Sequence, residues 1–567
     1  MIVQAAIEAR AVGFRTRAGE VLVRDVSLSV GRGQLVAITG GPGRAALLDV
    51  LSGLRRPTAG AVTREASGTS GGWPRAGYVP AGDALPPVQP LATALRYSAA
   101  VRGVRPAAVA GALSLAGLPA RAAAPAGALD PGERRRAAVA AELLGRPEQL
   151  FLDEPTAGLD PAQAGQVLDL LRRLADGGVT VLLTTSSPLD VARCDKVAVL
   201  AAGGDLVFFG TPEAARGYFG ADSLEEIYQR LAGLGDPAAA WSRRFFHFSH
   251  ARAGFAPVPT TPPAPGPAIL LPDAAGPHSA GPVTVLADPD EVVGDPDEAV
   301  LAPHGTRPAP GESGPVPDEN AGWAVMAGPG GLAAVARAVR QLPVLVSRNA
   351  EVACRWAFAR TILVAAPAAV LLAFAALIGA GALDAPRAAL AWAVGGGFCI
   401  GLAYGLPQVS GELGILRAER FCGLSAVGYV LAKLAVLIPL LAAADAVALV
   451  VPAALGRLPA GYGPAYLTVL LSSAVALALA LLLSAAALVP PRAAGALAAM
   501  AGTAPGRAAC WLPALLPAAA LLALLDHPDW PDWLVLGALA VALATAVTVL
   551  IARRVPSAAG GPPAARF

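Results

Sequence analysis

Two carboxylates stand side by side at the end of an apolar run, Leu150-Phe151-Leu152-Asp153-Glu154, and Pro155-Thr156-Ala157-Gly158-Leu159-Asp160 follows. Three apolar residues without alternation predict a strand buried on both faces, as parallel strands are. Such a strand delivers its acids at its carboxyl end, the edge where α/β sheets bind ligands. The plainer alternative is a core strand capped by two solvated acids. A second stretch has phosphate chemistry in its layout. Leu35-Val36-Ala37-Ile38 predicts a strand, Thr39-Gly40-Gly41-Pro42-Gly43 a glycine-rich turn, and the run through Leu54 a helix. A turn of that kind opening a helix aims backbone N–H groups at an anion.

The elements that must position these residues are legible from periodicity. Residues 1–30 alternate apolar and polar, as in Val21-Leu22-Val23-Arg24-Asp25-Val26, and predict half-buried strands. Ala- and Leu-rich helical spacing runs from about 90 to 145, and Val179-Thr180-Val181-Leu182-Leu183-Thr184 predicts another buried strand. From about 251 to 334 the chain is dense in Pro, Gly, Ala and acids with no apolar period, which predicts a disordered or extended tether.

Apolar stretches follow near 361–383, 388–406, 434–455, 466–489, 508–525 and 533–551. Their lengths suit membrane helices. Arg348, Arg355, Arg360, Arg417, Arg420, Lys433, Arg492, Arg507, Arg553 and Arg554 all fall on the cytoplasmic side if six helices start and end inside. Asp445 lies inside the third stretch, where a charge costs about 2.5–3.5 kcal/mol on insertion scales. Packing toward a polar bundle interior and a substrate or proton role are both open for it.

Composition agrees with a soluble part joined to a membrane part. The 567 residues exceed one ordinary domain, and 55% are apolar. Mean hydropathy is +0.56. A net charge of +2 gives no nucleic-acid footprint. The cysteines at 194, 354, 399, 422 and 510 have neither metal nor disulfide spacing. The N-terminus lacks a secretory pattern and is expected to stay cytoplasmic. Lysine occurs only at 196 and 433, which reads as a GC-rich, bacterial genome.

The glycine turn and the acid strand, with their flanks, resemble the ATP-binding-cassette (ABC) family. Val207-Phe208-Phe209-Gly210-Thr211-Pro212, then Tyr218-Phe219, is similar to its ABCG-type subgroup. Arg340-Gln341-Leu342, Arg348-Asn349 and the stretch Glu412 to Lys433 resemble the ABCG permease, its lead-in helix and its cytoplasmic coupling helix. The resemblance covers about 1–250 and 335–555. It implies an α/β P-loop NTPase (ABC-type ATPase) domain over 1–250, then the 251–334 linker. An all-α polytopic membrane domain of six helices over 335–555 and a disordered tail over 556–567 complete it. The fifth stretch is shorter than usual, which puts the family's extracellular re-entrant region in doubt.

The resemblance assigns roles residue by residue. Asp153 would hold Mg²⁺, Glu154 would be the general base that polarises the attacking water, and Asp160 would sit in the D-loop. Phe14 would stack on adenine, with a core aromatic as the equal alternative. The other motifs depart from the pattern. Against Walker A, G-x-x-x-x-G-K-[ST], Gly40, Gly41 and Gly43 form a turn two residues short. Arg44 stands for the Lys, and Ala45 and Ala46 bring no hydroxyl to Mg²⁺. A planar guanidinium is not a compact ammonium. Ala81 replaces the Q-loop Gln and Ser186 the switch His. In the signature, Asp130 and Pro131 precede Gly132 and Glu133 where Ser and Gly are usual. A carboxylate ~4 Å from a phosphate charge costs about 4 kcal/mol at an effective dielectric of 20. Asp130 and Pro131 still suit an N-cap and a first helical residue.

The expectation is an ABCG-like half-transporter subunit, a multi-pass protein of the cell membrane with nucleotide domain and termini cytoplasmic. Mg·ATP would be held weakly or not at all at its own site. A second half-transporter would partner it, as a heterodimer rather than a homodimer, and a small apolar or amphipathic molecule would be exported across the lipid bilayer. The alternatives are a non-hydrolysing ABC-fold scaffold or regulator, and a decaying paralogue.

Overall fold

A computed structural model describes residues 5–16, 18–65, 75–82, 84–233, 245, 283–286, 329–355, 365, 367–373, 386–456, 458, 461–486 and 530–555. Most of the 251–334 tether, most of the 361–383 stretch, all of 508–525 and the 556–567 tail lie outside them.

The N-terminal part holds two sheets. The first is antiparallel, with spatial order β10-β4-β1-β2, built from β1 (Ala5–Arg15), β2 (Val21–Gly31), β4 (Ala59–Arg64) and β10 (Val283–Leu286). β10 lies inside the stretch expected to be a tether. Val283-Thr284-Val285-Leu286, with three β-branched residues, is too short to show a period, and it pairs with the free edge of β4. The second sheet has order β5-β6-β7-β3-β8-β9. It comprises β3 (Leu35–Gly40), β5 (Ala76–Val79), β6 (Gln149–Leu152), β7 (Thr180–Thr184), β8 (Lys196–Leu200) and β9 (Leu206–Gly210). Only β9 runs antiparallel to its neighbour. β6 and β7 are buried along their whole length, as their uninterrupted apolar runs require.

Helices cover this sheet: α1 (Arg44–Ser52), α2 (Leu91–Val101), α3 (Ala108–Leu115), α4 (Pro131–Leu143), α5 (Pro161–Asp176), α6 (Pro188–Val191), α7 (Pro212–Phe219) and α8 (Leu224–Gly233). One core joins α2–α5 to one sheet face; a second joins α1 and the antiparallel sheet to the other. α1 stops at Gly53, whose φ of +80° closes the helix on the Val50 carbonyl.

The second part is helical: α9 (Pro329–Arg355), α10 (Pro386–Gly405), α11 (Leu413–Phe421), α12 (Ala426–Ala448), α13 (Val450–Ala454), α14 (Tyr462–Ala486) and α15 (Trp530–Arg554). Among the described residues, four stretches are long and apolar enough to cross a membrane: Leu390–Phe421, Ala426–Ala454, Tyr462–Ala486 and Trp533–Ala552. They overlay the second, third, fourth and sixth expected spans. α12 starts eight residues before its apolar stretch because Ser425 caps it, its Oγ accepting from the Gly428 N–H at 3.3 Å.

Candidate functional site

Parallel register assembles the site. Leu152 of β6 pairs with Leu183, and Thr184 of β7 pairs with Ile38 of β3. The next residues therefore converge: Asp153 and Glu154 from one side, the glycine turn and α1 from the other, Thr184 between. The Thr184 hydroxyl donates to Asp153 Oδ1 at 2.8 Å and accepts from the Glu154 N–H at 2.8 Å. Glu154 takes a φ of +46°, a left-handed conformation uncommon outside glycine.

The acids are brought to the turn, but the turn's cation has turned onto them. Arg44 donates to Glu154 Oε1 from Nη2 at 2.5 Å and from Nε at 3.1 Å, and its Nη1 donates to the Gly40 carbonyl at 3.1 Å. Both side chains are about a quarter exposed. A pair so open to water contributes on the order of 1 kcal/mol.

The turn itself is packed down. A Cβ on Gly41 would meet the Ala201 carbonyl oxygen at 2.2 Å and one on Gly43 the Leu22 carbonyl oxygen at 1.9 Å. The Gly41 N–H already donates to Leu200 O and the Arg44 N–H to Gly41 O. Pro42 has no N–H to give. An anion cradle needs those groups pointing outward. Ala45 is half-buried and Ala46 buried, so the first turn of α1 brings no hydroxyl to the site. Mg²⁺ takes one or two protein carboxylates plus phosphate oxygens in near-octahedral array. One Asp153 oxygen is engaged by Thr184.

The other positions are placed as follows. Asp130 caps α4 in a reciprocal box: its Oδ1 accepts from the Glu133 N–H at 2.7 Å, and Glu133 Oε2 accepts from the Asp130 N–H at 3.1 Å. Pro131 takes the first turn, and Gly132 lies close against Gln163 of α5. Asp160 caps α5, accepting from the Gln163 N–H at 2.8 Å. Arg121 and the Asp130 N–H hold the Glu133 carboxyl below its usual value. Ser186 is exposed just beyond β7. Ala81 is exposed after β5, and Arg135 of α4 clamps that turn, donating to the carbonyls of Pro80, Ala81 and Gly82. Phe14 is buried in the core, with the Arg55 guanidinium 5.4 Å from its ring centre.

Two residues at this edge were not singled out from sequence. Thr184 is one. Asp49 of α1 is the other: it accepts from Tyr78 Oη at 3.2 Å and pairs with Arg55 at 3.0 Å. Burial raises its carboxyl above the usual range; Arg55 pulls it back and Asp153 pushes it further up. An acid at the sixth position of a helix carries no motif, and only the parallel register brings it near Asp153.

The junction with the helical part is dense by contrast. Phe421, at the end of α11, lies 5.5 Å from the Tyr78 ring centre. Behind it, Arg102 pairs with Glu142 at 2.6 Å and donates to the Ala141 carbonyl at 2.8 Å and to Cys422 Sγ at 3.2 Å. Burial raises the Glu142 carboxyl, against the pull of Arg102. Gln341 of α9 donates to Val101 O and accepts from the Ser425 N–H. Arg348 of α9 pairs with Glu419 of α11.

Asp445 is fully buried in the helical bundle, accepting from the Ser473 hydroxyl of α14 at 2.5 Å. A Cβ on Gly397 of α10 would come within 3.2 Å of its Oδ1, so the close approach of three helices there needs a glycine.

Comparison with known proteins fits this geometry. The family model described as "ABC transporter" matches residues 23–157. The chain is 33% identical over 277 residues to the ABC transporter ATP-binding/permease protein Rv1747 of Mycobacterium tuberculosis, an alignment covering 47% of this chain and 31% of that protein. It is 34% identical over 219 residues to ATP-binding cassette sub-family G member 5 of Mus musculus, covering 35% of this chain and 33% of that one. A solved cassette, cbiO1 of Clostridium perfringens, aligns with a TM-score of 0.34 and 20% identity over 44% of this chain and 99% of its own. The matched region spans about a third of the length of these two curated relatives.

Proposed function

Because residues 23–157 are an ABC transporter ATPase domain and long apolar helices follow them, we propose that this chain is one half of a membrane exporter of ABCG-like organisation. ABC-type ATPase domains in general use Mg·ATP. In our reading this chain's own nucleotide site is impaired, and the chain works beside a second, competent half. The observation that carries the reading is the engagement of Arg44 with Glu154 and Gly40 over a turn in which the Gly41 and Arg44 N–H groups are already bonded within the protein. To receive a triphosphate, Arg44 must leave Glu154 and the turn must lift from the Leu22 and Ala201 carbonyls.

The residues divide the work accordingly. Asp153 and Thr184 hold the end of β6 against β7, Asp130 and Asp160 cap their helices, and Phe421 seats α11 on Tyr78. All these support a domain that transmits motion whether or not it hydrolyses ATP. The arginines flanking the helices support a cytoplasmic placement of the ATPase domain. The transported molecule is proposed to be apolar or amphipathic, in keeping with the bilayer-embedded path.

The test is nucleotide binding and hydrolysis by the purified full chain in lipid nanodiscs. The expected result is negligible hydrolysis and weak ATP binding. A variant with two residues inserted after Gly41, plus Arg44→Lys and Ala45→Ser, should then bind ATP at least tenfold more tightly, a change of about 1.4 kcal/mol. Tight ATP binding by the unaltered chain, or hydrolysis by it alone, overturns the impaired-site reading. Co-purification with a half-transporter bearing intact motifs, and transport only by the pair, separates the exporter from a non-transporting scaffold.

A further inference from the structure

A cavity of about 120 Å³ lies where the ATPase domain meets the helical part, between the 86–88 segment, α9, α11 and α12. Most of its wall is apolar, contributed by residues such as Pro87, Val352, Val436 and Leu437. The charged groups on the wall are already paired. Glu412 accepts from Lys433 Nζ at 2.7 Å on one oxygen and from Tyr429 Oη at 2.9 Å on the other. Lys433 also donates to Gln408 Oε1 at 3.3 Å, and Gln408 Nε2 donates to the Tyr404 carbonyl at 3.1 Å.

Asn349 of α9 differs. It is 6% exposed, it lines the cavity, and neither its Nδ2 nor its Oδ1 has a hydrogen-bond partner. Native proteins keep few such groups, because an unsatisfied buried donor or acceptor forfeits its hydration without replacement. A side-chain amide with both atoms free calls for a partner offering an acceptor and a donor side by side.

The rest of the cavity specifies the body of that partner. About 150 Å³ of apolar space admits a benzene ring, so about 120 Å³ suits a smaller body, a short alkyl chain. A charged guest would lose its hydration with no free counter-charge on the wall. We propose that this cavity is a binding site for a neutral, short-chain molecule carrying a carboxamide, whose C=O and N–H pair with Asn349 while the alkyl body fills the apolar remainder. Bound there, the molecule touches the ATPase domain and the membrane-proximal helices at once and ties them together.

The probe is propionamide, added to the full chain in lipid nanodiscs and followed by saturation-transfer NMR, with empty nanodiscs as the partition control and n-butane at saturation as the apolar comparison. Saturable propionamide binding is expected, with butane at least tenfold weaker. Asn349→Leu should weaken propionamide at least tenfold while leaving butane within about twofold, two lost hydrogen bonds being worth on the order of a factor of ten or more. Val436→Trp, which fills the cavity, should abolish both; should Asn349→Leu fail to fold, Asn349→Ser replaces it, with the same loss expected. No saturable binding to the unaltered chain overturns the proposal and leaves a water-filled space. Equal binding of butane, or full propionamide affinity after loss of Asn349 or after Val436→Trp, overturns it as well.

Discussion

The nucleotide edge and the junction with the helical part are built differently. At the nucleotide edge the turn is two residues short, its cation is folded back on Glu154, and the N–H groups of Gly41 and Arg44 are bonded to Leu200 and Gly41. At the junction with the helical part, buried side chains meet in pairs: Phe421 on Tyr78, Arg102 on Glu142 and Cys422, Gln341 on Val101 and Ser425, Arg348 on Glu419. In our reading the joint between the two parts does not depend on the cradle, because a chain driven by a partner's ATP needs the first and can do without the second.

The sharpest way to break that comparison is at the joint. Arg102→Met leaves Glu142 buried and unpaired. Removing one member of a buried pair costs about 3–5 kcal/mol. Thermal unfolding of the purified chain should show a large loss, and Arg102→Met with Glu142→Gln should recover much of it. If the single substitution leaves unfolding unchanged, the joint is not the well-built region we describe.

A middle-sized effect is expected at the nucleotide edge. Thr184→Val keeps shape but leaves Asp153 Oδ1 and the Glu154 N–H without their shared partner. The cost of unsatisfied buried groups is about 1–3 kcal/mol, read as a lower unfolding midpoint. Because the acids here serve the fold in our reading, transport with a competent partner should fall no more than stability does. A far larger fall in transport than in stability would mean that Asp153 and Glu154 still do chemistry.

How much of this was visible in the sequence follows from distance along the chain. β6 and β3 were legible because an unbroken apolar run has few other readings, and the α4 cap because Asp130, Pro131 and Glu133 are close neighbours. The helices α10, α12, α14 and α15 were legible from length and apolarity. The Arg44–Glu154 pair was not, since 110 residues separate the partners and only the β6-β7-β3 register joins them. Thr184 and Asp49 were hidden for the same reason. The Arg102–Glu142–Cys422 contacts span as much as 320 residues and two parts of the molecule, so no local pattern announces them. β10 was missed because four residues cannot display a period.

The smallest expected effect asks whether the signature segment belongs with the cradle or with the joint. Its helix start is intact: Glu133 accepts from Arg121 Nε at 2.8 Å and from the Asp130 N–H. Those donors hold its folded carboxyl below the ordinary value of 4.5. The ionised form is therefore favoured in the fold, so its stabilisation is present above that value and is lost as pH falls through the lowered one. Glu133→Gln lacks that stabilisation at every pH, so it should lower the neutral unfolding midpoint slightly and flatten part of the acid limb below pH 4.5, measured as unfolding midpoint against pH. An unchanged acid limb would mean that the cap does not hold α4, leaving Asp130 and Pro131 as losses with no structural gain and placing this segment with the dismantled cradle.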